Sequence, residues 1–277
     1  MLALVGGLVA ALLLIGRNAV DTAMLASSEL AQDAAIQSAL NLAAYQLVVL
    51  GNPASGVDGQ QIRLDQGVVT LRVSPEAGKV DLNGSGKILL AAAYRAAGLT
   101  AMTPDTFAAR VIDWRDADDD AEKEGAEAAD YAAAGLSHTP RNADFRSIDD
   151  LRWLMGMRPG DLAALSGYLT VFNPAGRLSA YAAPRELIAA IPGIAGETVD
   201  EVVSARSRPG AATTELIADR LLVQSALIDT SPNRSYRIGM EFAGGTARTN
   251  RRSTAVIAAG ATPAQPFQIL DWVETSP

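Results

Sequence analysis

The chain has 277 residues, 49% of them hydrophobic, and a formal net charge of −8, enough apolar material for one sizeable core or two modest ones. It has no Cys, which excludes disulfides and thiolate metal sites, and its single His138 lies in the loop-like Ser137–Pro140 stretch, which leaves a Ser-His-Asp or Cys-His catalytic site poorly supported. The acidic balance, 31 Asp and Glu against 23 Lys and Arg, argues against nucleic acid as a partner, because duplex binding needs clustered basic groups.

From Leu2 to Gly16 there is no charged residue, and Leu, Val, Ala and Gly fill all but one position, so this segment reads as a membrane-inserting helix or a signal h-region. At ~1.5 Å per residue it covers roughly 22 Å of a hydrocarbon core ~30 Å thick. No Gly or Pro occurs between Arg17 and Leu50, so the helix is expected to run on to the break at Gly51-Asn52-Pro53, as a rod ~75 Å long. Gln61 to Ser74 reads as strand, Asp65-Gln66-Gly67 turn, strand, with Val69, Leu71 and Val73 on one face. A third short strand is predicted over Lys79–Leu82, before the break at Asn83-Gly84-Ser85-Gly86.

The pattern then turns helical, with short helices predicted over Ile88–Ala97, Pro104–Trp114, Ser147–Met155, Asp161–Leu169, Pro184–Ala190, Glu197–Arg206 and Thr213–Leu222. After Pro232 the period returns to two: Tyr236, Ile238, Met240 and Phe242 alternate with polar or small residues, Gly244-Gly245 turns the chain into a strand over Thr246–Ala259, and Phe267–Glu274 closes it. Strand groups on either side of a helical block imply an α+β fold in which a helical domain interrupts a sheet. The expected boundaries are residues 1–50 for the N-terminal helix, 51–86 for the first part of the sheet, 87–228 for an all-helical insertion, and 229–277 for the rest of the sheet.

The acidity is local. Between Asp113 and Tyr131 nine carboxylates face two basic residues, a charge of −7 that leaves about −1 for everything else. Asp116, Asp118, Asp120, Glu122, Glu124 and Glu127 fall at positions 1, 3, 5, 7, 9 and 12 of a loop, the spacing that wraps oxygen ligands around Ca²⁺. Position 6 is Ala121 where an EF-hand turn needs Gly, and no pair of long amphipathic helices flanks the run, so a Ca²⁺ loop of another frame is expected. The alternative is a solvated acidic loop. Trp114 and Tyr131 bracket the run and suggest a loop pinned at both ends.

Taken in order, the apolar N-terminal helix, Gly78-Lys79-Val80-Asp81-Leu82-Asn83, Asp113-Trp114-Arg115-Asp116-Ala117-Asp118, Gly125-Ala126-Glu127 and Ile148-Asp149-Asp150-Leu151-Arg152 resemble the K-type minor pseudopilins of the bacterial type II secretion system. The likeness continues through Ala183–Ile194 to Leu270-Asp271-Trp272-Val273-Glu274. The resemblance implies a pilin-like fold, a long N-terminal helix packed on a small antiparallel sheet with a large helical domain inserted between strands. It also implies a single-pass anchor in the inner membrane with the globular part in the periplasm. The partners would be I- and J-type minor pseudopilins and other pseudopilus subunits, with the chain capping the pseudopilus tip, and Ca²⁺ would be a structural cofactor. The family's acidic pattern maps onto Asp113, Asp116, Asp118 and Glu127, and the loop spacing adds Asp120, Glu122 and Glu124. Apolar positions of the N-terminal helix, among them Leu25, Ile36 and Leu40, are expected to be exposed and to carry partner binding. Family precursors carry a short basic leader, none precedes Leu2, and the sequence is therefore expected to start downstream of it; no cleavage site is assigned.

Two other readings compete. Pro184–Arg206 also resembles a helix-hairpin-helix that grips phosphate, but Glu186, Glu197, Asp200 and Glu201 outnumber the nearby Arg185, Arg206 and Arg208. The acid-rich loop could serve a carboxylate-dependent hydrolase or a calcium-stabilised periplasmic binding domain, yet nothing in the sequence marks a substrate pocket, so no enzyme activity is expected.

Overall fold

The structure, a computed structural model, describes residues 2–65, 67–206, 208, 210–229, 235–244, 251–262 and 264–275; over the first 25 residues it describes the backbone, with the side chains of Arg17, Thr22 and Met24 only. It divides into two compact units, Met1–Ser74 with Arg237–Pro277, and Pro75–Tyr236, which interrupts the first in sequence.

Helix α1 (Leu2–Ala44) continues into a π-helical turn over Tyr45–Val49 and stops where Gly51 takes a left-handed φ of +69°. Its last third buries Ala35, Ile36, Ala39, Leu40, Ala43, Ala44 and Leu47, a stripe at spacings of three and four that packs within its own unit. This corrects the expectation for Ile36 and Leu40: both are buried, and among the described residues the large apolar side chains that the helix exposes are Met24, Leu30 and Leu42. Leu25 and the side chains of Leu2–Gly16 lie outside the described residues. Among the described residues no helix is long and apolar enough to cross a membrane.

A short α2 (Ala54–Val57) leads to the hairpin of β1 (Gln61–Leu64) and β2 (Gly67–Pro75), antiparallel with Leu64 opposite Gly67. Gly67 is needed there, since a Cβ would meet the Ala243 carbonyl oxygen at 2.6 Å. Val69, Leu71 and Val73 are buried, as the alternation predicts.

The interrupting unit contains β3 (Val80–Asp81), α3 (Lys87–Ala96), α4 (Pro104–Arg115), α5 (Ala128–Ala133), a 3-10 segment over Ile148–Trp153, α6 (Asp161–Leu165), β4 (Leu169–Thr170), β5 (Leu178–Ser179), α7 (Arg185–Ala189), α8 (Gly196–Ala205), α9 (Ala211–Arg220) and β6 (Ile228–Asp229). It is not all-helical: β3 pairs with β4 and β5 with β6, each in a two-stranded parallel sheet. The strand predicted at Lys79–Leu82 therefore belongs to this unit and not to the main sheet. Val80 N–H donates to Tyr168 O and Leu82 N–H to Thr170 O, and the buried Asp81 carboxylate accepts from Asn83, Gly84 and Asn173 N–H, which fixes the segment in place. The core between α3 and α4 is led by Tyr94 stacked on Phe107, ring centroids 4.8 Å apart.

Strands β7 (Ser235–Gly244), β8 (Arg251–Thr262) and β9 (Gln265–Thr275) complete a five-stranded sheet of order β1-β2-β7-β8-β9, with β8 and β9 antiparallel. Tyr236, Ile238, Met240 and Phe242 are all buried, so the period-two reading holds. The predicted turn at Gly245 and the stretch Thr246–Asn250 lie outside the described residues.

Candidate cation site

Helix α4 delivers the first acid of the loop. Thr103 caps its N-terminus, with Oγ1 accepting from Thr106 N–H at 3.0 Å, and Pro104 occupies the first turn, where a missing N–H costs nothing. At the other end Arg115 donates to Leu82 O and Ser85 O, which anchors the last turn and presents Asp113 to the interior. Asp113 is fully buried. Its Oδ1 accepts from Glu122 N–H at 3.0 Å and its Oδ2 from Ala126 N–H at 2.6 Å, so this side chain folds the loop back on the helix. Gly125 makes that approach possible: a Cβ there would lie 1.8 Å from Asp113 Oδ2.

The far end of the loop is Glu127, 5% exposed, at the start of α5. Glu127 and Asp130 are placed as a capping box: the Glu127 N–H donates to Asp130 Oδ2 at 2.9 Å and the Glu127 side chain faces the Asp130 N–H, but neither Glu127 carboxylate oxygen closes a hydrogen bond of ordinary geometry, nor does the buried Asp116 Oδ1. Burial, then the charges of Asp113, Asp116, Asp119 and Asp118, push the Glu127 carboxyl up to about 7. Burial first, and neighbouring acids after it, also raise Asp116, while burial outweighs two backbone N–H donors to raise Asp113. A cation paired with these carboxyls would draw them the other way, so the folded loop leaves all three short of positive charge.

The remaining predicted ligands scatter. Asp118 Oδ1 accepts from Asp120 N–H at 3.0 Å, and both side chains are exposed. Glu122 pairs with Lys87 Nζ at 3.3 Å. Glu124, held at a φ of +71°, turns away to accept from Thr106 Oγ1 at 2.9 Å and Thr103 Oγ1 at 3.2 Å. Among the described residues no three or more His, Asp or Glu side chains stand grouped so as to hold a metal ion as they are placed. The fit to a cation rests instead on the donor set: oxygen-only, crowded, and with neither buried Glu127 oxygen in a hydrogen bond of ordinary geometry.

Three residues of this region escape a spacing argument. Asp119, off the alternate positions of the loop, accepts from Asn142 Nδ2 at 3.2 Å, and the same Nδ2 lies 3.3 Å from Asp118 O. Gly125 shows itself only through its close approach to Asp113. His138 sits edge-on to Tyr131 and Trp153, with Nε2 2.8 Å from Trp153 O, and Trp114 stacks on Phe145 at 5.8 Å, so the aromatic brackets of the loop are core residues.

Fold and loop together define the class: an α+β subunit in which a unit built from a long N-terminal helix and a five-stranded sheet is interrupted by a mainly helical unit with an acid-lined loop. Residues 81–174, which contain the loop, match the family model for the type II secretion system (T2SS), protein K. Across the chain the fold is similar to that of a chain in the crystal structure of the GspK-GspI-GspJ complex from the type 2 secretion system of enterotoxigenic Escherichia coli, with a TM-score of 0.63, 14% identity, and coverage of 87% of this chain and 94% of that one. No curated protein sequence matches the chain.

Proposed function

We propose that this chain is a K-type minor pseudopilin of a type II secretion system, a structural subunit and not an enzyme, which assembles with I- and J-type minor pseudopilins at the tip of the pseudopilus. The observation that carries this reading is the family match over residues 81–174, joined to a fold likeness that extends over most of the chain. Exposed Met24 and Leu30 on α1 offer apolar contacts to a neighbouring helix. The uncharged Leu2–Gly16 segment at the start of the same helix supports an inner-membrane anchor with the globular units in the periplasm.

Asp113, Asp116, Asp118 and Glu127 are the proposed ligands of a structural Ca²⁺, with Asp120 and Glu122 as the further ligands that the loop spacing adds. Glu124 joins only by leaving its two Thr partners. Bound Ca²⁺ supplies the positive charge that the buried Glu127 oxygens lack. The test is co-expression of the full chain with I- and J-type partners. A stoichiometric ternary complex that survives size exclusion is expected, and a chain that never leaves the monomer fraction would sink the assembly claim. For the metal, Asp118→Ala combined with Glu127→Ala should lower the melting temperature only when Ca²⁺ is present, because the ion stabilises just the folded state. Equal melting of variant and parent in saturating Ca²⁺ would remove the metal from the proposal.

A further inference from the structure

Lys87 opens α3, the wrong end for a cation, since helix N-termini carry partial positive charge and favour acids. Its side chain explains the placement. Lys87 Nζ lies 3.3 Å from Glu122 Oε2 and 3.5 Å from the Lys123 carbonyl oxygen, so it reaches across to the acidic loop from an element 35 residues away in sequence. The position is held firmly: Gly86 precedes it, the Ser85 carbonyl takes a hydrogen bond from Arg115, and the Asn83 side chain both donates to and accepts from the Phe145 backbone at 2.9 and 2.8 Å. The loop's second cation, Lys123, is exposed and sits within the acidic run itself.

We infer that Lys87 is a tethered counter-ion that occupies the acidic loop in the metal-free state and must give up Glu122 when a divalent cation enters, so that it sets the affinity of the site. The inference rests on the Ca²⁺ reading above. An ammonium near the loop opposes a divalent ion in two ways. It ties up one carboxylate as an ion pair, and its positive charge also acts on Asp113, one of the proposed ligands. The ion pair is half-exposed and weak enough to be displaced, as a competitor must be. A carboxylate or amide at this position would leave the loop unneutralised until metal arrives, and the unloaded loop would be less stable.

Lys87→Gln and Lys123→Gln remove the same charge, yet only the first frees Glu122. In Ca²⁺ titration of the full chain by calorimetry, Lys87→Gln should tighten binding severalfold, and at least threefold more than Lys123→Gln. In chelator the order of effects reverses in sign: Lys87→Gln should lower the melting temperature, and Lys123→Gln should change it less. Equal shifts in affinity for the two variants, or weaker binding by Lys87→Gln, would overturn the competition. An unchanged chain that takes up no Ca²⁺ overturns the metal reading and this inference together, whereas uptake with equal shifts overturns only this one.

Discussion

Two buried acids in the interrupting unit have opposite fates. Asp81, 1% exposed, accepts backbone N–H groups from Asn83, Gly84 and Asn173 at 2.8, 2.8 and 2.6 Å, while Glu127, 5% exposed, accepts none in ordinary geometry. The difference teaches what burial of a carboxylate is for. Asp81 ties β3, the turn after it and the loop after β4 together with protein donors, and it has no need of a ligand. Glu127 is buried beside other acids with no such bond closed, an arrangement that is stable only if it is protonated or a cation is supplied. Asp113 lies between the two, with two backbone donors and a raised carboxyl.

The sharpest break of this comparison is Asp81→Ala. It leaves three N–H groups without their acceptor, and a loss of about 3–5 kcal/mol is expected in denaturant unfolding, the same in Ca²⁺ and in chelator. A loss that depends on Ca²⁺ would mean that Asp81 belongs to the cation site after all. Gly125→Ala comes next. The added Cβ collides with the Asp113 carboxylate, and overpacking of this kind costs about 1–3 kcal/mol. It should also weaken Ca²⁺ uptake, because Asp113 can no longer hold both Glu122 and Ala126 N–H. Intact uptake in Gly125→Ala would show that the loop closes without that contact.

Glu127 gives a pH signature of the other sign from the usual acid. Its folded carboxyl titrates at about 7 against an ordinary 4.5, so the ionised form is the one the fold disfavours. In chelator the contribution is fully present below pH ~4.5 and is lost as pH rises through ~7, a fall on the order of 1–3 kcal/mol. Asp113 and Asp116, also raised, act in the same direction. Glu127→Gln should flatten that slope and, in chelator near pH 8, match or exceed the parent in stability. Saturating Ca²⁺ should flatten the parent's slope as well. Melting curves from pH 4 to 8 with and without the ion decide it, and a parent whose stability in chelator rises with pH would contradict the unpartnered burial of Glu127.

How much of this was legible in the sequence depended on whether the signal was periodic or positional. The alternation at Val69, Leu71 and Val73 and at Tyr236 through Phe242 named buried faces correctly, because a period of two leaves only one face for the core. Pro104 marked the start of α4 to the residue. The strand at Val80-Asp81 was legible but its partner was not: it pairs with Leu169-Thr170 nearly 90 residues on, and the two-residue β4, β5 and β6 are too short to carry a period of their own. For the same reason the helix predicted over Asp161–Leu169 stops at Leu165: Tyr168 N–H turns back to Leu165 O and the chain enters β4. In the acidic loop, spacing and the family pattern together named seven acids as a set, but neither could foresee which of them the fold pairs elsewhere. Glu124 goes to two Thr hydroxyls and Glu122 to Lys87, and neither partner lies within the run.

The smallest effect falls on Asn142, and it separates a loop held from outside from one that closes only on a cation. Asn142 adopts a left-handed φ of +48°, tolerated by Asn better than by most residues, and spends its side-chain amide on Asp119 Oδ1 and Asp118 O. Asn142→Gly keeps that backbone conformation open while deleting both exposed hydrogen bonds, so the stability loss in chelator should be only about 0.5–1 kcal/mol. If Asp118 must swing toward Glu127 to bind metal, its carbonyl anchor also limits how far the backbone strays in the unloaded loop. Ca²⁺ uptake by Asn142→Gly should then be weaker by a factor of about 2–5, and Asn142→Asp, which loses the donor and sets a further negative charge against Asp119, should not restore it; full affinity in Asn142→Gly would show that the backbone φ alone matters. Weakened binding in both variants assigns the role to the amide.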